Sequence, residues 1–111
     1  MEIQTMGTTI YLLEYEVRPA PHSEDFATAG GAFAVCFIRA DSAAAAREAA
    51  LRYFVETAWE VVALERDAAP IERLQVEDDA DGLDAYEEAL EHGECVLMHL
   101  WPPDASDGML H

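Results

Sequence analysis

The stretch AFAVCFIR, residues 32–39, carries apolar side chains on both of the faces that a β-strand presents. Successive strand residues point to opposite faces of a sheet, so a strand with one wet face shows a polar residue at every second position. Here Arg39 is the one charged residue. The pattern predicts a central strand that is apolar on both faces.

The preceding segment TTIYLLEYEV, residues 8–17, alternates instead. Glu14 and Glu16 fall on one face, and four apolar side chains fall on the other, namely Tyr11, Leu13, Tyr15 and Val17. This alternation predicts a strand with one solvated side, which ends at Pro19 because proline cannot donate to a ladder.

The residues after the central strand, DSAAAAREAALRYFVETA, predict a helix that Asp41 or Ser42 caps. Its inward stripe holds mainly small residues, namely Ala43, Ala46, Ala50, Phe54 and Thr57. WEVVALER at 59–66 then predicts a third strand. We expect residues 67–70 to form a hairpin connection into a fourth strand at 71–76.

A second helix is predicted over residues 84–92, with Asp84 as its cap and Gly93 at the left-handed position that commonly ends helices. Its inward side chains are expected to be Leu83, Tyr86, Ala89 and Leu90. A last strand, ECVLMHLW, follows at residues 94–101, and Pro102 and Pro103 end it. We therefore expect one α+β domain over residues 1–101 and a C-terminal tail at 102–111.

Without the first strand, the predicted order from residue 32 to 101 is strand, helix, strand, strand, helix, strand. This order resembles the ferredoxin-like split βαβ architecture, which implies an antiparallel sheet with two helices on one face. The N-terminal strand is then an addition that widens the sheet or pairs with another subunit. No family motif accompanies the resemblance, and the fold hosts many unrelated functions.

The charge balance is the strongest compositional signal. The 111 residues hold 23 acids against 6 bases, all of them arginine, for a formal net charge of −17. Such a chain repels nucleic-acid phosphates and anionic membranes, so direct binding to either is not expected. Either the acids keep the protein dissolved, also at high salt, or they attract a basic protein partner.

An acidic segment, EDDADGLDAYEEALEHG at residues 77–93, matches the spacing of a calcium loop with Gly82 at its sharp turn. The matching ligands are Glu77, Asp79, Asp81 and Glu88. Asp84 stands where such loops carry an apolar residue, and the segment before the loop predicts a strand. The alternative is that these acids begin the second helix, where they suit the positive end of the helix dipole.

Other chemistry-bearing residues do not form a recognisable motif. The fourteen-residue loop RPAPHSEDFATAGG, residues 18–31, predicts an ordinary polar loop, because neighbours in sequence rarely converge on one reacting atom. Cys36 and Cys95 lie within apolar strands, where buried free thiols are expected more than a disulfide. His99 is expected in the core, or, if Cys36 lies beside it, in a Cys/His site.

These observations leave two classes of function. The first is an interaction module without catalytic activity or cofactor, which associates with itself through its sheet or binds a basic partner. The second is a small-molecule-binding domain or enzyme with a pocket between sheet and helices. That pocket would be fringed by Tyr11, Tyr15, His22, Glu24 and His99. The N-terminus lacks a cationic start followed by an apolar run, and no segment is long enough to span a bilayer, so we expect a cytoplasmic protein.

Overall fold

The computed structural model describes residues 9–102. It contains four strands, which are β1 Thr9–Pro19, β2 Gly31–Ala40, β3 Trp59–Ile71 and β4 Glu94–Trp101. Its two α-helices are α1 Ala43–Glu56 and α2 Ala80–His92, and short 3-10 helices occupy Glu24–Ala27 and Arg73–Gln75. The predicted α+β class, with an antiparallel sheet and two helices, is confirmed. The predicted tail lies, after Pro102, outside the described residues.

The four strands form one sheet in the order β3-β1-β2-β4, and every neighbouring pair is antiparallel. β1 and β2 pair along nearly their whole lengths, from Thr9 opposite Ala40 to Val17 opposite Ala32. The first strand therefore lies in the centre of the sheet and is not the expected addition to it. The predicted central position of β2 is confirmed.

The predicted hairpin at 67–70 and the strand at 71–76 are wrong. β3 continues through Asp67 and Pro70 to Ile71, and a 3-10 helix follows directly. β3 is an edge strand, where a proline is tolerated because it need not donate to a neighbour. In the 3-10 segment, the Glu72 amide donates to the Gln75 side chain at 2.8 Å, which closes a local capping box in place of a ladder.

The two helices pack on opposite faces of the sheet, so the expectation that both cover one face is wrong. Phe54 of α1 packs in a cluster that includes Cys36, whereas Ala89 of α2 packs in a second cluster that includes Phe37. Cys36 and Phe37 are consecutive on β2 and therefore point to opposite faces. Because β2 is apolar on both faces, one helical layer would leave half of its side chains in water.

The observed element order is strand, strand, helix, strand, helix, strand. It differs from the order on which the ferredoxin-like resemblance rests, because the predicted third and fourth strands are one strand. α1 connects β2 to the parallel strand β3, with β1 between them. α2 then connects the two edges of the sheet, from β3 to β4.

The first helix follows its prediction closely. The Ser42 hydroxyl accepts a hydrogen bond from the Ala45 amide at 3.1 Å, and the buried side chains are Ala46, Ala50 and Phe54. The small alanines bring the helix axis close to the sheet. The Phe54 ring then meets Tyr15 of β1 edge-on, with 5.3 Å between ring centroids.

The second helix begins earlier than predicted. Asp79 occupies the N-cap position, so Asp84 lies inside the helix and is not its cap. Gly82 permits this start, because a Cβ there would lie 2.9 Å from the Asp79 carboxylate. The predicted end is confirmed, since Gly93 adopts a φ of 100° in the left-handed region. Within residues 9–102, neither helix is long and apolar enough to cross a membrane.

Removing the Phe54 ring should destabilise the fold by about 3–5 kcal/mol, because the side chain is fully buried and its truncation leaves a cavity in the core. Urea unfolding of Phe54→Ala measures this loss. Val55→Ala is the matched control, since Val55 is the next residue of the same helix and is 78% exposed. Equal unfolding midpoints for the two variants would contradict the assigned packing of α1.

Candidate functional site

The five residues of the predicted pocket lie in three separate places. Tyr11 and Tyr15 belong to the apolar layer beneath α1. His22 and Glu24 line a hollow of about 310 Å³ beside the C-terminal end of α1. His99 lines a groove on the opposite face of the sheet. The structure therefore does not bring these side chains to one site.

The four predicted calcium ligands are spread over the turn that holds Glu77 and the helix that follows it. Asp79 precedes α2, Asp81 lies in its first turn, and Glu88 follows about two turns later, which is roughly 10 Å along the helix axis. Residues 9–102 contain no group of three or more His, Cys, Asp or Glu side chains that could hold a metal ion. Glu88 instead lies 3.7 Å from His92 on the same helix.

The two cysteines are free thiols on opposite faces of the sheet. Burial raises the pKa of the Cys36 thiol to about 12, and the Glu94 carboxylate adds to the rise. Burial also raises the pKa of Cys95, with Glu88 acting in the same direction. His99 pairs with Phe33 on the face away from Cys36, and its side chain is exposed. The expected core histidine and the Cys36–His99 site are therefore both absent.

The edge strand β4 is regular and almost free of charge. Its register with β2 is unbroken from Gly31 opposite Trp101 to Ile38 opposite Glu94, and Glu94 is its single carboxylate. Its side chains are only partly covered, and Leu100 is 55% exposed. An edge strand of this kind presents unpaired backbone groups and apolar side chains together, which is the surface that another strand recognises.

The outward-facing backbone groups of β4 can be assigned from its two ends. The Gly93 carbonyl accepts from the Arg39 amide at 2.9 Å, and the Trp101 carbonyl accepts from the Gly30 amide at 2.8 Å. In an antiparallel strand, the amide and carbonyl of one residue share a side, and successive residues alternate. Odd-numbered residues of β4 therefore bond towards β2. The groups that point away from the sheet belong to Glu94, Val96, Met98 and Leu100.

The opposite edge, β3, is protected against such pairing. Its register with β1 shifts at three places, between Leu12 and Glu14, between Glu14 and Tyr15, and between Glu16 and Val17. Bulges of this kind twist an edge away from a flat partner. β3 also carries Pro70 and the run Glu65, Arg66 and Asp67, so it differs from β4 in charge as well as in regularity.

A groove of about 490 Å³ lies on the α2 face, between the N-terminal turn of α2 and the sheet. Its apolar lining comes from all four strands and from the segment that precedes α2, and comprises Leu12, Val35, Phe37, Ile71, Val76 and Leu97. Its charged lining comprises Glu14, Arg66, Asp79 and Asp81, with His99 at the β4 side. The sequence alone did not group these residues, because they are distant in the chain.

No protein-family model, curated protein or solved structure matches this chain.

The raised pKa of Cys36 and its full burial predict that this thiol is inert in the native protein. With a disulfide reagent at pH 8, we expect Cys95, which is partly exposed, to react first, and Cys36 to react only on unfolding. Labelling of the Cys95→Ser variant isolates Cys36. Equal labelling rates for this variant in buffer and in denaturing urea would contradict the assigned burial of Cys36.

Proposed function

We propose that this chain is a protein-interaction module, without catalytic activity, that pairs with a second copy of itself through β4. The observation that carries the proposal is the β4 edge, which within residues 9–102 pairs only with β2 and combines a regular register, apolar side chains and a single carboxylate. Pairing two such edges about a two-fold axis joins two four-stranded sheets into one sheet of eight strands.

The outward backbone groups favour one register for this pair. A two-fold axis perpendicular to the sheet keeps each α1 on the same face and makes the two β4 strands antiparallel. The outward amides and carbonyls belong to even-numbered residues, so hydrogen-bonded pairs must join even-numbered residues. Centring the axis on Leu97 pairs all of these groups. Centring it on Met98 would set Glu94 opposite Pro102, which has no amide to donate.

This register also matches apolar side chains across the axis. On the α1 face, Val96 lies opposite Met98 of the second copy, and both side chains are half-buried in the isolated chain. On the α2 face, Leu97 lies opposite its own counterpart. Each such cross-strand apolar pair contributes up to about 1 kcal/mol, and pairing also removes the exposed side of Leu100 from water.

The net charge of −17 opposes association, because two strongly acidic chains repel each other. In the proposed dimer the attraction comes from the strand edge, and added salt should strengthen the association by screening the repulsion. A basic partner bound to the acids would show the opposite dependence, since salt weakens attraction between unlike charges. Salt dependence thus separates a second copy from a basic partner as the occupant of this surface.

The Leu97-centred register sets Leu100 opposite Glu94 of the second copy, which makes the dimer sensitive to the sign of a charge at position 100. Leu100→Glu should raise the dimer dissociation constant about tenfold through two symmetric like-charge pairs, and Leu100→Lys should lower it. Leu100 is 55% exposed, so either side chain can be accommodated in the monomer. Sedimentation over a concentration series reaching tens of micromolar measures both constants.

Leu64→Glu and Leu64→Lys are the matched controls, because Leu64 is 49% exposed on the opposite edge and its variants change the net charge identically. These two variants should leave the dissociation constant close to the wild-type value. A wild-type protein that sediments as a monomer throughout would contradict the proposal. Equal effects at positions 64 and 100 would contradict the assigned edge.

A further inference from the structure

The groove on the α2 face combines an apolar floor with an excess of negative charge. Of the four lining residues that carry a full charge, three are carboxylates and one is Arg66. Arg66 lies 3.7 Å from the Glu14 carboxylate, which offsets its charge. Within residues 9–102, neither Asp79 nor Asp81 pairs with an arginine. The groove therefore keeps two uncompensated carboxylates above an apolar surface.

The positive N-terminal end of the α2 dipole does not outweigh the negative charge of the groove. The N-terminus of a helix carries a partial charge of about +0.5, which by itself favours anions. Asp79 at the cap and Asp81 in the first turn supply two full negative charges at the same place. A Cβ at Gly82 would lie 2.9 Å from the Asp79 carboxylate, so the glycine leaves room for this carboxylate in the groove lining, to which both residues belong. The net potential there favours a cation.

We infer that this groove binds a small organic cation with an apolar body, such as an aromatic or alkyl primary amine. The apolar part of the ligand covers Leu12, Val35 and Phe37 on the floor, and the ammonium group lies beside Asp79 and Asp81. An ammonium group donates hydrogen bonds to carboxylates, and the apolar walls strengthen the attraction by lowering the local dielectric constant. An inorganic cation alone would leave the floor uncovered.

This site borders the proposed strand pairing, because Leu97 lines the groove and also lies on the proposed two-fold axis. The groove lies above the sheet on the α2 face, whereas pairing uses the outward backbone groups of even-numbered β4 residues. Leu97 and His99 contribute side chains to the groove from β4, but the other lining residues lie elsewhere in the chain. All lining residues belong to one chain, so ligand binding should persist at protein concentrations below the dimer dissociation constant and in the Leu100→Glu variant.

Titration with 2-phenylethylamine, followed by backbone amide NMR shifts, tests the inference. Two matched probes accompany it, namely neutral 2-phenylethanol and anionic phenylacetate. We expect the amine to shift the amides of Leu12, Val35 and Gly82, the alcohol to bind at least about fivefold more weakly, and phenylacetate not to bind. A fivefold difference in affinity corresponds to about 1 kcal/mol, which is the usual upper contribution of an exposed charge pair.

Two variants that each remove one negative charge distinguish binding in the groove from attraction by the overall negative charge of the chain. Asp81→Asn should weaken amine binding roughly fivefold, whereas Asp84→Asn, on the same helix but outside the groove lining, should leave it unchanged. Absence of amine binding up to about 10 mM, equal affinity for amine and alcohol, binding of phenylacetate, or equal weakening by the two variants would each overturn the inference.

Discussion

The structure depends on one constraint, which is that both faces of β2 are apolar and must be covered. Cys36 and Ile38 need a layer on one side, and Phe37 needs a layer on the other. α1 supplies the first layer through alanines and Phe54, and α2 supplies the second through Ala85 and Ala89. The hydrophobic effect thus selects a sheet between two helices over a sheet with one bare face.

The same constraint determines which surfaces stay open. Two helices cover the middle of the four-stranded sheet, so the edges and the part of the α2 face that forms the groove remain accessible. The edge strand β3 is protected against pairing by its bulges, by Pro70 and by its charged side chains. β4 lacks these features, and the open part of the α2 face forms the groove beside Asp79 and Asp81. The proposed pairing and the proposed ligand site therefore follow from one packing arrangement.

Local patterns predicted much of the fold. Alternation defined β1, two-sided apolarity defined the central strand β2, and the Ser42 cap with its alanine stripe defined α1. The wrong predictions of secondary structure arose at residues that are common in two different kinds of structure. Asp67 and Pro70 are typical of turns, but an edge strand also accommodates them, and which strand lies at an edge is a tertiary property. Asp79 and Asp84 are both acceptable helix caps, and the close packing at Gly82 separates them only in three dimensions.

The candidate sites could be predicted from the sequence less well than the fold. The single charge in ECVLMHLW was visible, but its meaning depends on β4 lying at an edge, and the groove joins residues from distant segments. Hydrogen exchange of the β4 amides at increasing protein concentration tests pairing through β4. We expect Val96, Met98 and Leu100 to gain protection with concentration while their odd-numbered neighbours do not. Exchange independent of concentration, or protection gained in β3 instead, would contradict it.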